Sequence, residues 1–349
     1  MADPGDNEAR RITIVIPNWN GRRLLEACLA SLREQSFRDF ETLVVDNGST
    51  DGSVELVELE FPEARVVTLE ENRGFSAAVN RGIEESGSEL VALLNNDTEQ
   101  DPGWLAALVR AAEGHPEAGS FASKLLDAGE RGVLDGAGDA LRRSGLPYRL
   151  GHGEADRGRY DSLSPVFGAC AAAALYRRAM LEDVGRFDED FFAYCEDADL
   201  SFRAQLAGYR CLYVPGAVVY HVGSASSGGK RSPTAVRLGT QNGLNVLVKN
   251  LPAPLVPRLA PFILAGQVSR LVMTTRSTDT LRANLAGYAG VWRLLPEMLR
   301  KRRGVQARRR VSNAYVRRLL RGSFRAADAS ISRRLLRKAR RFLSERRAR

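Results

Sequence analysis

Through the first hundred residues, short runs of β-branched and aliphatic side chains alternate with stretches whose apolar positions recur every three or four residues. Ile12–Ile16, Thr42–Val45, Val66–Leu69 and Leu90–Leu94 have the length and composition of buried strands. Between them, Leu24, Leu25, Cys28, Leu29 and Leu32 fall on one helical face. Val54, Leu56, Val57 and Leu59 predict a second helix, with Ser49, Thr50 and Asp51 as candidate caps, and Phe75–Glu85 predicts a third. Regular alternation of strand and helix predicts a parallel sheet with right-handed crossovers. Ligands of such sheets bind beyond the carboxyl ends of the strands. Polar clusters fall at those ends: Pro17-Asn18-Trp19-Asn20, Asp46-Asn47-Gly48-Ser49, Asn72-Arg73-Gly74 and Asn95-Asn96-Asp97.

Further along, residues 115–165 are rich in Gly, Arg and Asp with little periodicity, and predict strands and loops. Ala171–Tyr176 is an apolar, buried run, Asp197–Leu206 a helix that starts in acid, and Cys211–Val214 and Ala217–His221 two short strands. A Gly/Ser segment from Gly223 to Gly229 then separates this α/β unit from a stretch that is helical throughout and broken by Pro252, Pro254, Pro257 and Pro261. The expected organisation is a flexible start (1–11), an α/β unit (12–228) and a helical, basic region (229–349).

Composition narrows the class. Hydrophobic residues make up 44% and charged residues 27% of 349, ordinary globular values that exclude wholesale disorder. Cys28, Cys170, Cys195 and Cys211 form no C-x-x-C pair, which excludes a disulfide scaffold or zinc ribbon and fits a reducing cytosol. The polar N-terminus predicts no signal peptide, and the charge-free, largely apolar stretch of eleven residues between Arg258 and Arg270 falls short of the ~20 that span a bilayer. The net charge of +9 is uneven: Pro296–Arg349 holds 20 basic and 3 acidic residues, the remainder 31 and 39. A mildly acidic body therefore carries a basic tail suited to a polyanion. Within the tail, Leu335, Leu336, Ala339, Phe342 and Leu343 share one face of a basic amphipathic helix, which suits an anionic membrane surface. Aromatic residues are sparse there (Tyr315, Phe324, Phe342), which disfavours stacking on nucleic-acid bases.

Several residues carry candidate chemistry, each with a plainer alternative. Asp97 closes a buried strand and suits a hard divalent cation completed by a substrate diphosphate, or simply a turn. Asp46 suits hydrogen bonds from a nucleobase or ribose, or again a turn. Glu196, Asp197 and Asp199 open a helix, where the macrodipole alone stabilises carboxylates. Their apolar frame of Phe191, Phe192, Tyr194 and Cys195 also raises a carboxylate toward the range of a general base. His221 ends a strand, as a structural residue or a ligand, and neither His115 nor His152 has a partner visible in sequence. No Gly-rich dinucleotide or P-loop fingerprint follows the first strand.

Together these segments resemble the family 2 inverting glycosyltransferases, and most of all their rhamnosyltransferase and galactofuranosyltransferase branch of bacterial cell-surface polysaccharides. The resemblance runs in order through Ile14–Gly21, Val45–Gly52, Glu71–Phe75, Leu94–Asp97, Gly185–Glu189, Glu196–Leu200 and Tyr220-His221. It implies a GT-A fold, with a mostly parallel sheet and a helical basic C-terminal region. It implies a nucleotide-sugar donor, a glycan or polyprenol-linked acceptor, and a divalent cation, manganese or magnesium. Donor-side positions would be Pro17, Asn18, Asn20, Asp46 at the base, Asn72, Arg73, Gly74, Asn95 and Asn96. Asp97 would be the metal acid, with Asn95 standing where the family's motif has its first acid, and His221 would join the shell. Asp197 would be the general base with Glu196 beside it, and Asp199 an acceptor contact. Gln241-Asn242 falls where relatives carry an Arg-Asn pair. The expected location is the cytoplasmic face of the cell membrane, held peripherally.

Two rivals are a sugar nucleotidyltransferase and a nucleic-acid-binding protein. The first needs a Gly-rich basic loop after the first strand, of which Asn18–Arg23 is a poor version. The second leaves the acidic clusters without a role.

Overall fold

A computed structural model describes residues 10–223, 232–275 and 277–320. The expected amphipathic helix at Arg333–Arg347 and the expected flexible start at 1–9 lie outside the described residues. Four strands, β1 (Ile12–Asn18), β2 (Phe40–Asp46), β3 (Ala64–Thr68) and β4 (Leu90–Leu94), pair in parallel in the order β4-β1-β2-β3. Helices α1 (Arg22–Arg33), α2 (Ser53–Glu60) and α3 (Phe75–Glu85) form the crossovers, in the places that periodicity predicts. β1 is buried on both faces: Ile12, Ile14 and Ile16 pack toward α1 and α4 (Trp104–Gly114), while Val15 packs toward α3. Asp51 serves both helices: Oδ1 accepts from the Ser53 N–H at the start of α2 at 3.2 Å and Oδ2 from the Arg22 N–H of α1 at 2.9 Å, while Gly52 holds the N-cap position of α2.

The second half of the sheet is mixed. β5 (Thr98–Gln100), β6 (Ala118–Asp127), β7 (Leu134–Ala137), β10 (Ser164–Val166), β11 (Ala173–Arg177) and β12 (Arg210–His221) extend it, with β11 antiparallel between β4 and β6 and β12 parallel to β6. β8 (Asp139–Leu141) and β9 (Pro147–Arg149) form a separate ribbon over the sheet's end. The two strands expected at 211–214 and 217–221 are one strand. Pro215 and Gly216 interrupt its register between Val214 and Val218, a bulge that bends the strand and carries His221 to the same end as Asp97.

α5 (Arg178–Val184) and α6 (Glu196–Ala207) pack on the sheet, and α7 (Pro233–Asn250), α8 (Val256–Thr274) and α9 (Thr278–Ala307) pack on α6 through a third apolar cluster that includes Phe202, Leu206, Val246 and Met298. α7 and α9 lie close: a Cβ on Gly287 would stand 2.7 Å from the Arg237 carbonyl oxygen. With the turn before it, α8 forms a helical stretch, Ala253–Thr274, that is apolar and long enough to cross a bilayer by length and composition alone. The sequence hid that length, because Arg258 and Arg270 interrupt it.

A buried ionic hub fastens these helices. Asp199 is fully buried; its Oδ2 accepts from Arg203 Nε and Lys249 Nζ, each at 2.8 Å, and its Oδ1 from Asn250 Nδ2 at 2.7 Å. Lys249 also reaches Asp188 at 2.6 Å, and Lys301 of α9 bridges Asp188 at 2.5 Å and Asp190 at 2.6 Å. Part of the basic tail is thus spent on the body's own acids. Replacing Lys249 with Met takes the shared cation from two buried carboxylates and leaves them Arg203 and Lys301 alone, and breaking a buried pair costs about 3–5 kcal/mol. Urea unfolding of Lys249→Met should show that loss; a change under about 1 kcal/mol would mean that Arg203 and Lys301 suffice without it.

Candidate active site

The polar clusters at the strand ends converge on one cleft. Asn18 is its first organiser: Nδ2 donates to Asp46 Oδ1 at 3.1 Å, and Oδ1 accepts from Asn96 Nδ2 at 2.7 Å, tying the ends of β1, β2 and β4 together. Asp46 Oδ2 accepts the Ser49 N–H at 2.9 Å, so this carboxylate organises its own loop. Asn20, in a left-handed conformation, accepts from the Thr50 N–H and donates its own N–H to Ser49 Oγ, both at 2.8 Å. Asn47 and Asn72 shape the next loop: the Arg73 N–H donates to Asn47 Oδ1 and the Gly74 N–H to Asn72 Oδ1, each at 2.9 Å. Gly74 has a φ of 89°, and a Cβ there would lie 2.6 Å from Phe192, so only glycine lets this loop approach the segment before α6.

That segment is strained. Phe192, Tyr194 and Cys195 all have positive φ, at 60°, 72° and 66°. Asn242 of α7 holds it: its Nδ2 lies 2.8, 2.9 and 2.9 Å from the carbonyl oxygens of Phe191, Ala193 and Tyr194. The turn aims the first residues of α6 into the cleft. Asp197 Oδ1 accepts from the Ala198 N–H at 2.7 Å and Oδ2 from the Ala171 N–H at 3.4 Å.

At the β4 end, Asp97 and His221 are both buried, with His221 Nε2 3.3 Å from Asp97 Oδ1. Nε2 has no hydrogen bond of good geometry, while Nδ1 lies 2.8 Å from Asp135 Oδ2. A histidine with one nitrogen held by a carboxylate and the other 3.3 Å from a second carboxylate suits either a shared proton or a shared cation. Asn95 Oδ1 is also buried without a partner. These donors fit a divalent ion.

Charge is distributed unequally around the cleft. Burial pushes the Asp135 carboxyl up, but His152, His221 and Arg149 outweigh it and hold the group well below the ordinary range. Burial, aided by the neighbouring Asp197 charge, drives Glu196 up to about 8 and Asp139 well above its usual value. Burial also raises Asp197, against the pull of Arg149 and its two N–H donors. Ligand atoms of Asp139, Cys170 and Asp197 lie within 4.8 Å of one another, yet Arg149 Nη2 stands 3.0 Å from Cys170 Sγ. A cation already occupies that corner, so the cluster suits shared protons better than a second metal.

The cleft, about 520 Å³, is lined by Pro17, Asn18, Asn72, Gly74, Asn95, Asn96, Asp97, Glu196, Asp197 and His221. Asn20, Asp46 and Arg73 are not among its lining residues; Arg73 is exposed, 3.8 Å from Glu189. The expectation for Asp199 is corrected: it points into the ionic hub, since a residue two positions on along α6 turns about 200° from Asp197. Sequence reasoning missed Asp139, Tyr148, Arg149 and Cys170, which line the cleft, and Asp135 and His152 behind them.

Residues 13–185 match the family model described as glycosyl transferase family 2. A Mycobacterium tuberculosis protein named N-acetylglucosaminyl-diphospho-decaprenol L-rhamnosyltransferase is 33% identical over 229 residues, covering 58% of this chain and 73% of its own. The chain belongs to glycosyl transferase family 2. Another family relative by sequence, the O-antigen biosynthesis protein RfbC of Myxococcus xanthus, is 29% identical over 235 residues, 64% of this chain and 18% of that protein. In fold, this family 2 chain is similar to a Pyrobaculum calidifontis mannosyltransferase solved with GDP-Man and Mn2+ (TM-score 0.51, 19% identity, 86% and 88% of the two chains). It is also similar to GalNAc-T7 solved with UDP, GalNAc and Mn2+ (TM-score 0.60, 16% identity, 84% and 57%). The expected GT-A fold and glycosyltransferase class both hold, and membership in this family sets the nucleotidyltransferase reading aside.

The raised Glu196 carboxyl predicts a pH-dependent stability for this family 2 enzyme. Between its ordinary value of 4.5 and about 8, the folded chain keeps a proton that the unfolded chain has lost, so stability falls as pH rises through that window. Glu196→Gln removes the titration. Urea midpoints of the variant should gain on wild type from pH 5 to pH 8; a constant gap would place Glu196 in an ordinary environment.

Proposed function

We propose that this enzyme transfers a sugar from a nucleotide-sugar to a hydroxyl of a lipid-linked or glycan acceptor in cell-surface polysaccharide assembly, with inversion and with Asp197 as base. The observation that carries this reading is the shared cleft: Asp197 at the start of α6 looks into the same space as Asn18, Asn96 and Asp97 at the strand ends. Its two N–H donors fix the carboxylate's orientation. Burial and the Asp197 charge raise Glu196 and Asp139 and favour protons on those two groups, while Arg149 and the two N–H donors support charge on Asp197. Asp197 takes the acceptor hydroxyl proton as the acceptor oxygen bonds to the anomeric carbon. The bond to the donor phosphate oxygen breaks, and the nucleoside diphosphate leaves with the electron pair. One displacement by one base, without a carboxylate nucleophile, inverts the centre.

Asp97 and His221 would hold a divalent ion, which when bound offsets charge on the departing diphosphate. A nitrogen donor favours manganese over magnesium. Asp46, Asn20 and Arg73 support the donor loops from behind. The tail's charge and the apolar outer face of α8 support a peripheral position on the cytoplasmic leaflet, where anionic lipid attracts basic side chains.

Removing a general base typically costs about 10²–10⁴-fold in rate. In a donor panel of dTDP-, UDP- and GDP-sugars, Asp197→Asn should lose transfer on that scale while still binding the donor. Turnover near wild type would move the base to Glu196.

His221→Ala should weaken manganese binding in the presence of nucleotide, read by calorimetry. Unchanged binding would remove His221 from the shell, and full turnover in excess chelator would remove the metal itself.

A further inference from the structure

α8 contributes one charged residue to the cleft. Arg270 lines it, together with Thr234, Leu238 and Gly239 of α7 and Tyr194 of the strained turn. Its Nη1 donates to Thr240 Oγ1 at 3.2 Å, and among the described residues no carboxylate pairs with it. This distinguishes it from Arg149, which is committed to Asp135, and from Arg203, committed to Asp199. A largely buried guanidinium without a counter-ion is costly, and a protein that keeps one in a ligand cleft offers it to an anion from outside. Tyr194 adds a buried hydroxyl with no partner. Both belong to the base end of the cleft, since Cys195, whose thiol feels the Arg270 charge, precedes Glu196 and Asp197.

The other side of α8 fits the same ligand. Leu264, Val268 and Val272 are 66%, 52% and 61% exposed and recur every four residues, forming a stripe down the solvent face. Arg270 stands two positions after Val268, about 200° around the helix. A helix lying with this stripe against a bilayer brings the guanidinium, on its far side, to the level of lipid headgroups and into the cleft.

We propose that Arg270 is the acceptor-side anion clamp of this enzyme. On this assignment it binds the phosphates of an acceptor whose sugar is joined through a diphosphate to a hydrocarbon chain. This rests on the glycosyltransferase reading above and names the acceptor's chemical class and a residue that selects it. The same guanidinium could meet a diphosphate from the donor or from free pyrophosphate, and the experiment separates these sources.

Full-length protein is first saturated with manganese and UDP, GDP or dTDP, whichever binds, and then titrated with farnesyl diphosphate, inorganic pyrophosphate or farnesol. Farnesyl diphosphate should bind beside the nucleotide, more tightly than either other probe. Arg270→Gln should weaken it about tenfold or more, the scale of a lost charge-assisted hydrogen bond, and leave farnesol unchanged. Arg270→Lys should recover part of the loss. The melting temperature of Arg270→Gln should match or exceed that of wild type, because the variant removes an unpaired buried charge; this shows that weakened binding is not misfolding. Equal affinity of wild type and Arg270→Gln for farnesyl diphosphate overturns the proposal, and so does displacement of the nucleotide by that probe. Failure of every nucleotide to bind wild type would instead overturn the donor reading.

Discussion

Three carboxylates within four residues at the start of one buried helix are an electrostatic burden, and the architecture around α6 follows from how each is accommodated. Asp199 remains ionised, its carboxyl lowered to about 2 as Lys249 and Arg203 outweigh burial. Glu196 takes the opposite course and keeps its proton. Asp197 lies between, with two backbone N–H groups and the nearby Arg149 supporting its charge while burial opposes it. Neutralising all three would remove the chemistry, and ionising all three would expel the helix end into water. The cations that prevent this come from α6 itself, from α7 and from β9, so the C-terminal helices and the ribbon over the sheet are part of the electrostatics of the site.

The same helices govern geometry. A turn with three non-glycine residues at positive φ stores strain, of the order of 1–3 kcal/mol per residue, and persists only where its surroundings over-determine it. Asn242 does so with one amide spanning three carbonyls. Gly74 does so from the other side, by admitting Phe192 where any side chain would collide. Of the pair Gln241-Asn242, Asn242 positions the backbone of this turn, whereas Gln241 packs in the seam between α7 and α9, against Gly290.

The parallel half of the sheet was legible because β1, β2 and β4 are buried on both faces and its helices on one, two patterns that differ in period. The polar clusters at the strand ends followed from topology. Asp135, Asp139 and Arg149 were not legible. They lie on strands of three or four residues, too short for a period, joined by long-range bonds such as Leu134 N–H to the Glu154 carbonyl. Their nearest signal was composition, the excess of Gly, Arg and Asp over 115–165. Asp199 was misplaced because first-turn acids look alike in sequence. Only the packing of α7 against α6 decides which of them faces the cleft and which faces Lys249.

The Asn242 clamp also bears on the order in which the protein becomes competent during synthesis. A ribosome releases β1 through α6 well before α7, and α7 well before Lys301. The nascent α/β unit can pair its strands and bury both of its apolar layers, but the turn before Glu196 then lacks the amide that holds it, and Asp199 lacks Lys249. Domains fold as units in the order they emerge. The strand-end loops, tied by Asn18, Asn47 and Asn72, are therefore complete early, and the turn that aims Asp197 into the cleft is completed last. On the function proposed above, the growing chain would meet a nucleotide before it could act on one.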